Sequence, residues 1–360
     1  MTTPHCFAMS CSAGGKSSTQ TICREPSTEW DVQNRESSLH IQRRSLKFFD
    51  AIRRHGSIRE AARQLFIDSS ALNRQLLALE AEVGTPLFER LSRGLKLTPA
   101  GEIFARHVIT VLQDEERLAS ELNELQTDYR GKIMLQSVEG LSAGLVAPAI
   151  REMIQRYPNA KIIVKNGTSA QNAKAVIEGD ADVALSFSSE HSSELRCCHL
   201  GRFCMGAIMQ PANPLAWKAQ VSFAECAAHP LIFSSPELTI SQEMRPVIAR
   251  YGRPLNVLLE TASIDLAKSI AGMGLGIAFQ TRLGLESEIH DSKLAFVPLK
   301  TVPRIYSELS LYVRARRSLP PALEAFVKLL ASEIRHRQAE EAETKKLGRD
   351  TTRKIEGGNQ

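Results

Sequence analysis

The sequence predicts a small helical head with a two-stranded wing, one long connecting helix, and a C-terminal α/β domain. Three observations carry that prediction. The excess positive charge is confined to residues 41–98, and apolar residues recur at heptad-like intervals across 99–128. From 131 to 335, short apolar runs alternate with helical patterns, as strands and helices do in α/β domains. At 360 residues the chain is too long for one compact core. Its 43% hydrophobic and 24% charged residues are a globular composition. No apolar run approaches the ~18 residues of a membrane-spanning helix, and the N-terminus has neither a basic start nor a sustained apolar block. A channel, a collagen-like fibre and a disulfide-stapled mini-domain are thereby excluded, and no secretory leader is expected. Residues 1–40 and 336–360 are polar or charged with little periodicity and are expected to lack fixed structure.

The head comes first. Between Ile41 and Thr98 stand eleven basic and six acidic residues, which accounts for the whole formal net charge of +5. Charge so localised is the footprint of a polyanion-binding module. Leu46, Phe49 and Ile52 recur at helical spacing until Gly56 stops the helix. Ser57 and Glu60 form a capping-box pattern opening a second short helix through Gln64. Its Ala61 and Ala62 are small enough for another helix to cross closely. Asp68 or Ser69 can cap a third helix, with Leu72, Leu76, Leu79 and Val83 on one face and Ser70, Asn73, Arg74 and Leu77 on the other. Arg can bond guanine bidentately, Asn adenine, and Ser a base or a phosphate, so this polar face suits a major groove. Gly84 ends the helix, and TPLFERLSRGLKLT reads as a wing whose Arg90, Arg93 and Lys96 can meet phosphates. The expected DNA-binding residues are Ser57, Ser69, Ser70, Asn73, Arg74, Gln75, Arg90, Arg93 and Lys96.

These residues carry a resemblance. GS before the second helix, the AA pair, S-A-x-x-R-Q, the following LE, G-x-x-LFER and LTxAG resemble, in order, the winged helix-turn-helix of LysR-type transcriptional regulators. The sequence departs from that pattern at Ser69, where the family often has Gln, and at Asn73, where it often has Ser. The resemblance implies a cytoplasmic homodimer or homotetramer that binds double-stranded DNA and regulates transcription with RNA polymerase as a partner. It also implies a response to a small-molecule effector and no membrane association.

Thr98-Pro99 supplies an N-cap and a first-turn proline for the connecting helix, which runs roughly 40 Å at 1.5 Å per residue. Phe104, Val111, Leu118 and Leu125 fall seven apart, with Val108 and Leu122 four after two of them. So narrow a stripe has to be buried, on its own domain or on a second copy of itself; the resemblance favours the second, which makes these six the expected dimerisation residues.

Beyond Gly131, KIMLQSV, KIIV, DVALSF, GAIMQ, PLIF, NVLLE, GIAF and ELSLYV read as strands interleaved with helices. Order and motifs (RYPNAKI, EGDADVAL, PANPLAW, AGMGLGIAF) resemble the effector-binding domain of LysR-type regulators, which implies a two-lobed, periplasmic-binding-protein-like fold. Ligands in such sheets bind at strand carboxyl ends, facing helix N-termini. Gly140, Leu141, Ser142, Thr168, Ser169, Thr261 and Ser263 are therefore the expected effector-binding residues, with a small carboxylate or similar anion as the favoured ligand.

Two motifs invite enzyme readings. Gly140-Leu141-Ser142-Ala143-Gly144 has the G-x-S-x-G form of a hydrolase nucleophile elbow, yet it follows the first strand of its domain, where that fold needs several. Gly272-Met273-Gly274-Leu275-Gly276 runs from helix into strand, the reverse of a dinucleotide fingerprint, and reads as a turn. No catalytic residue and no cofactor other than the effector is expected. The seven cysteines include one group, Cys197, Cys198 and Cys204 beside His199, that lacks the spacing of a zinc site. No metal is expected, and the thiols read as free in a reducing compartment.

Overall fold

The computed structural model describes residues 41–92, 94–124, 131–187 and 192–356. The extension expected at 1–40 lies outside the described residues, as do Arg93, Leu125 and residues 357–360.

The head forms as its apolar spacing requires. Helix α1 (Arg43–His55) buries Leu46, Phe49 and Ile52. Helix α2 (Ile58–Leu65) starts where the Ser57 hydroxyl accepts from the Glu60 amide. The return half of that capping box is missing, because the Glu60 carboxylate takes the Arg63 guanidinium at 2.5 Å instead. Ala61 and Ala62 are buried where α2 meets its neighbours. Helix α3 (Ser69–Val83) is capped by Asp68, whose carboxylate accepts from the amides of Ser70 and Ala71. The Glu80 carboxylate then accepts from the amides of Leu87 and Phe88, which ties α3 to the wing. Strands β1 (Phe88–Leu91) and β2 (Gly94–Leu97) pair antiparallel, Phe88 opposite Leu97.

Helix α4 (Pro99–Glu124) begins at Thr98, whose hydroxyl accepts from the Gly101 amide and donates to the Pro86 carbonyl. Gly101 is required by close approach, since a Cβ there would run into the Leu87 carbonyl oxygen. Phe104 meets Phe49 edge to face at 4.8 Å between centroids, and Phe88 lies 5.1 Å from Phe49 on another side. The expected dimer seam is corrected here. Phe104 and Val108 are buried in the head core and are not available to a second chain, and Val111 packs partly against that core. The apolar stripe follows the nearest core, and for the first half of α4 that core is α1 of the same chain. Leu118 and Leu122 are 56% and 54% exposed and remain open.

The C-terminal domain has two lobes built on β3 (Lys132–Ser137), α5 (Ala147–Arg156), β4 (Lys161–Asn166), α6 (Ser169–Ile177), β5 (Val183–Phe187) and β6 (Leu195–Met209), then α7 (Phe223–Cys226) and β7 (Leu231–Ser234). They continue through α8 (Thr239–Tyr251), β8 (Val257–Thr261), α9 (Ile264–Gly272), β9 (Ile277–Thr281), α10 (Glu286–His290), β10 (Ala295–Pro298), β11 (Tyr306–Arg314) and α11 (Pro321–Glu356). The strand order is β4-β3-β5-β11-β6-β9-β7-β8, with β10 also on β6. Strand β6 belongs to both lobes. Its first part pairs β11 up to Cys204 opposite Tyr306, and from Met205 onward it pairs β9. Parallel pairs β3–β4, β3–β5, β7–β8 and β7–β9 put their carboxyl ends at one rim of each lobe.

The tail expectation is also corrected. Instead of ending near residue 335, α11 continues through Glu356. Phe326, Leu330 and Ile334 anchor it in the first lobe's core, and the stretch beyond is rich in Ala, Glu, Lys and Arg, good helix formers. His336–Glu340 and Arg337–Glu340 pairs brace it, and buried Glu341 accepts from the Cys204 amide at 3.1 Å.

Phe104→Ala should destabilise the head by about 3–5 kcal/mol, the usual result of emptying a buried aromatic site. Hydrogen exchange should show protection lost in α1 and α3 and retained in β3 and β5.

Candidate nucleic-acid interface and interlobe cleft

The exposed side of α3 carries Ser69, Ser70, Arg74 and Gln75, with Asn73 half-buried among them. Two of the expected contacts already have partners. Ser70 donates to Asp68 at 2.5 Å, and the Asn73 side-chain carbonyl accepts from Arg90 at 2.9 Å. Asn73 therefore holds a wing arginine against the reading helix. Ser57 is half-buried as the α2 cap, and Lys96 is exposed, 3.9 Å from Glu89. Two other cations of the basic segment point away from this face. Arg53 bonds Asp50 and donates to the Glu178 carbonyl at 2.8 Å; Arg54 bonds Asp50 and Asp180 and donates to the Gly179 carbonyl. Both join the head to the first lobe, a role that composition does not distinguish from DNA binding.

Between the lobes lies a cavity of about 460 Å³. The segments after β3 and β4 bring Glu139, Gly140, Thr168 and Ser169 to it from one lobe, and the end of β5 brings Phe187. The other lobe brings Glu237 and Thr239 at the start of α8, Ile264 at the start of α9, and Gln280 and Thr281 at the end of β9. Of the expected effector residues, Gly140, Thr168 and Ser169 line it. Leu141 is fully buried in the lobe core. The Ser142 hydroxyl donates to the Glu139 carbonyl at 3.0 Å and opens a wide turn outside the lining. Thr261 accepts from the Ser263 amide, and Ser263 caps α9 through the Leu266 amide, so neither faces the cavity. The last three side chains serve the turns that shape the rim.

The residues missed were legible in part. Gln280 and Thr281 sit at the carboxyl end of a strand already recognised, where the strand-end rule points. Thr239 carries no such signal, since it opens α8 rather than standing at a strand end. In the structure, Thr239 and Ser169 close the floor of the cleft together. Both hydroxyls contact the Phe187 carbonyl, at 2.7 and 2.8 Å, and they lie 3.0 Å apart. A second bridge crosses at Glu139, whose carboxylate accepts from the Ile264 amide at 3.3 Å.

One turn into α8, Glu243 accepts from the Ser307 hydroxyl on β11 at 2.5 Å. Burial pushes its carboxyl up to about 7, the Ser307 bond opposes that rise, and the Glu308 charge adds to it. The thiols among the described residues lie away from the cleft lining. Cys204 and Cys226 are buried, and burial pushes Cys226 up to about 12. Among the described residues, no three metal-ligating side chains come together, and no helix is long and apolar enough to cross a membrane.

Residues 126–335 match the family described as LysR substrate binding domain. Residues 43–102 match the bacterial regulatory helix-turn-helix protein, lysR family. The HTH-type transcriptional regulator CysB of Burkholderia cenocepacia is 23% identical over 273 residues, covering 74% of this chain and 87% of its own. The RuBisCO operon transcriptional regulator of Allochromatium vinosum is 23% identical over 296 residues, covering 82% and 97%. Among solved structures, full-length OxyR from Pseudomonas aeruginosa superposes with a TM-score of 0.63 at 16% identity, over 82% of this chain and 95% of its own. OxyR from Corynebacterium glutamicum gives 0.51 at 18%, over 84% and 96%. At these identities the structures speak for the fold alone.

Glu243 generates a pH prediction. A carboxyl held near 7 when folded and near 4.5 when unfolded gives the native state extra stability at low pH. That stability is lost as pH rises from about 4.5 through 7, on the order of 3 kcal/mol in all. Glu243→Gln should therefore melt above the wild type at pH 8, and the advantage should vanish near pH 4.5. Thermal melts of both proteins across that range check it.

Proposed function

The chain belongs to the LysR family of transcriptional regulators, and on that premise we propose that it is a homo-oligomer whose operator binding changes when a small molecule occupies the interlobe cleft. One observation carries the DNA reading: exposed Arg74 and Gln75 on α3 stand beside a wing whose Arg90 is held by Asn73. Arg74 and Gln75 are the candidates for base edges, with Ser69 at the helix start. Lys96 and Arg90 suit phosphates. Arg93, expected with them, lies outside the described residues.

Leu118 and Leu122 support the oligomer, since an exposed apolar pair on a surface helix is suited to burial against a second copy. Each head alone would grip one half-site, and pairing two heads sets the half-site spacing. The cleft supports the effector reading by its volume and by the polar groups that converge on it from both lobes. Such a regulator acts in the cytoplasm, with RNA polymerase at the promoter as its further partner and no bound cofactor besides the effector.

Arg74→Ala should lose ~1–3 kcal/mol at a specific operator and relax its sequence preference, while Lys96→Ala should weaken all duplexes alike and lower the salt slope by about one. Fluorescence anisotropy across a salt series measures both. A wild-type protein with no salt-dependent duplex affinity would overturn the reading.

Leu118→Glu should place a charge, with its symmetry copies and Glu115 nearby, in a dry interface. Sedimentation should show dissociation together with loss of operator binding. An unchanged oligomer would move the interface off α4.

A further inference from the structure

An anionic effector is the natural expectation for a cleft ringed by helix N-termini, because unpaired amides and the helix dipole favour negative charge. Three N-termini, those of α6, α8 and α9, do reach this cavity. Two of them are already answered from within the chain. At α6, Thr168 and Gln171 form a complete capping box, satisfying each other's amides. At α9, the Ser263 hydroxyl takes the Leu266 amide and the Glu139 carboxylate takes that of Ile264. Helix α8 has no side-chain cap, but Glu237 stands one residue ahead of its N-cap Leu238 and lines the same cavity.

The remaining lining is unusual in charge. Glu139 and Glu237 are its ionisable groups, and no Lys, Arg or His lines it among the described residues. Glu237 is exposed, with no hydrogen bond or ion pair among the described residues. An entering carboxylate would meet two like charges and find no side-chain cation. Two further side chains are unsatisfied in the sense that matters for recognition. Gln280 and Thr281 are only 5% and 4% exposed, line the cavity, and make no side-chain hydrogen bond among the described residues. Buried polar groups are ordinarily paired, so these two are set to bond whatever enters. The rest of the wall is largely apolar, with Val138, Phe187, Ile240 and Leu283 among it.

From this charge pattern we infer that the effector is a cationic amphiphile: a primary ammonium on an apolar body, rather than a carboxylate. The inference rests on the cleft being the effector site. The ammonium has three donors and no acceptor, which matches the carboxylate of Glu237, the carboxylate of Glu139 and the side-chain carbonyl of Gln280. The apolar body lies against Phe187, Ile240 and Leu283, where burial supplies affinity without selecting charge. The volume of about 460 Å³ is that of a small-metabolite pocket. Direct charge complementarity then sets the class, because a like charge held within a few ångströms in a half-enclosed site is weakly screened.

The test uses the full chain and three matched probe series, phenylalkyl amines, phenylalkanols and phenylalkanoates, each with two to four methylenes. Binding is measured by calorimetry and thermal shift. Amines should bind about tenfold or more tightly than the carboxylates of equal length. Glu237→Gln should remove most of that preference, and Glu237→Lys should reverse it. Ala262→Trp, which puts a large ring at an exposed position in the lining, should abolish binding of every probe. Carboxylates that bind as well as amines, and lose binding in Ala262→Trp, would overturn the class while the cleft stands. Binding that survives Ala262→Trp would overturn the cleft itself, and the inference with it. Absence of amine binding at millimolar concentration overturns the inference as well.

Discussion

Helix α4 has only so many faces, and the arrangement of the whole protein follows from how they are divided. Its first turns give Phe104 and Val108 to the head, where Phe49 locks them in place. Its middle meets the first lobe: Arg314 donates to the Thr110 hydroxyl and the Arg106 carbonyl, and Ile109 packs where a side chain at Gly179 would stand. Leu118 and Leu122 on the later stretch stay exposed, as does Ile103 on the first turns. The first half of the seven-residue stripe thus serves the head, while Ile109, off the stripe, meets the lobe. Burial is non-directional, so each stretch packs on the nearest apolar surface.

The contact between head and lobe is made by charge rather than by apolar area. Asp50, buried on α1, holds Arg53 and Arg54, and both guanidiniums reach on to the loop at Glu178–Asp180. Glu116 lines the polar chamber behind them, its carboxyl pushed up by burial and by nearby Asp182, which itself pairs with Arg317. Ion pairs half removed from water are strong only while their geometry holds. The loop they grip joins α6 to β5, and those elements begin and end at the cleft with Ser169 and Phe187. A physical connection therefore runs from the cleft floor to the reading head through one helix and one strand.

The cleft depends on β6 and β11. One continuous strand serving two sheets lets the lobes differ in tilt while sharing hydrogen bonds. Hydrogen-bonded bridges cross between the lobes at three places: Thr239 on Phe187 and Ser169, Glu139 on Ser263 and Ile264, and Glu243 on Ser307. Each bond is worth about a kilocalorie per mole net.

The sequence by itself determined the identity and order of the elements. Leu72, Leu76 and Leu79 declare the inner face of α3, and the polar residues opposite declare its outer face, because a helix of fixed period admits one solution. Alternating runs from KIMLQSV to ELSLYV declare an α/β domain for the same reason. What the sequence could not determine was which surface covers which. Phe104 and Leu118 look alike in a heptad, and Arg53 looks like Arg90 in a basic segment; neighbours far along the chain separate them. Ser142 and Thr281 are both hydroxyl residues near strand ends, yet only backbone placement in three dimensions turns one toward a turn carbonyl and the other into the cavity. Local periodicity is written in the chain. Partnership across more than a hundred residues was decided by the tertiary structure, where shape and charge select among surfaces that are chemically equivalent in sequence.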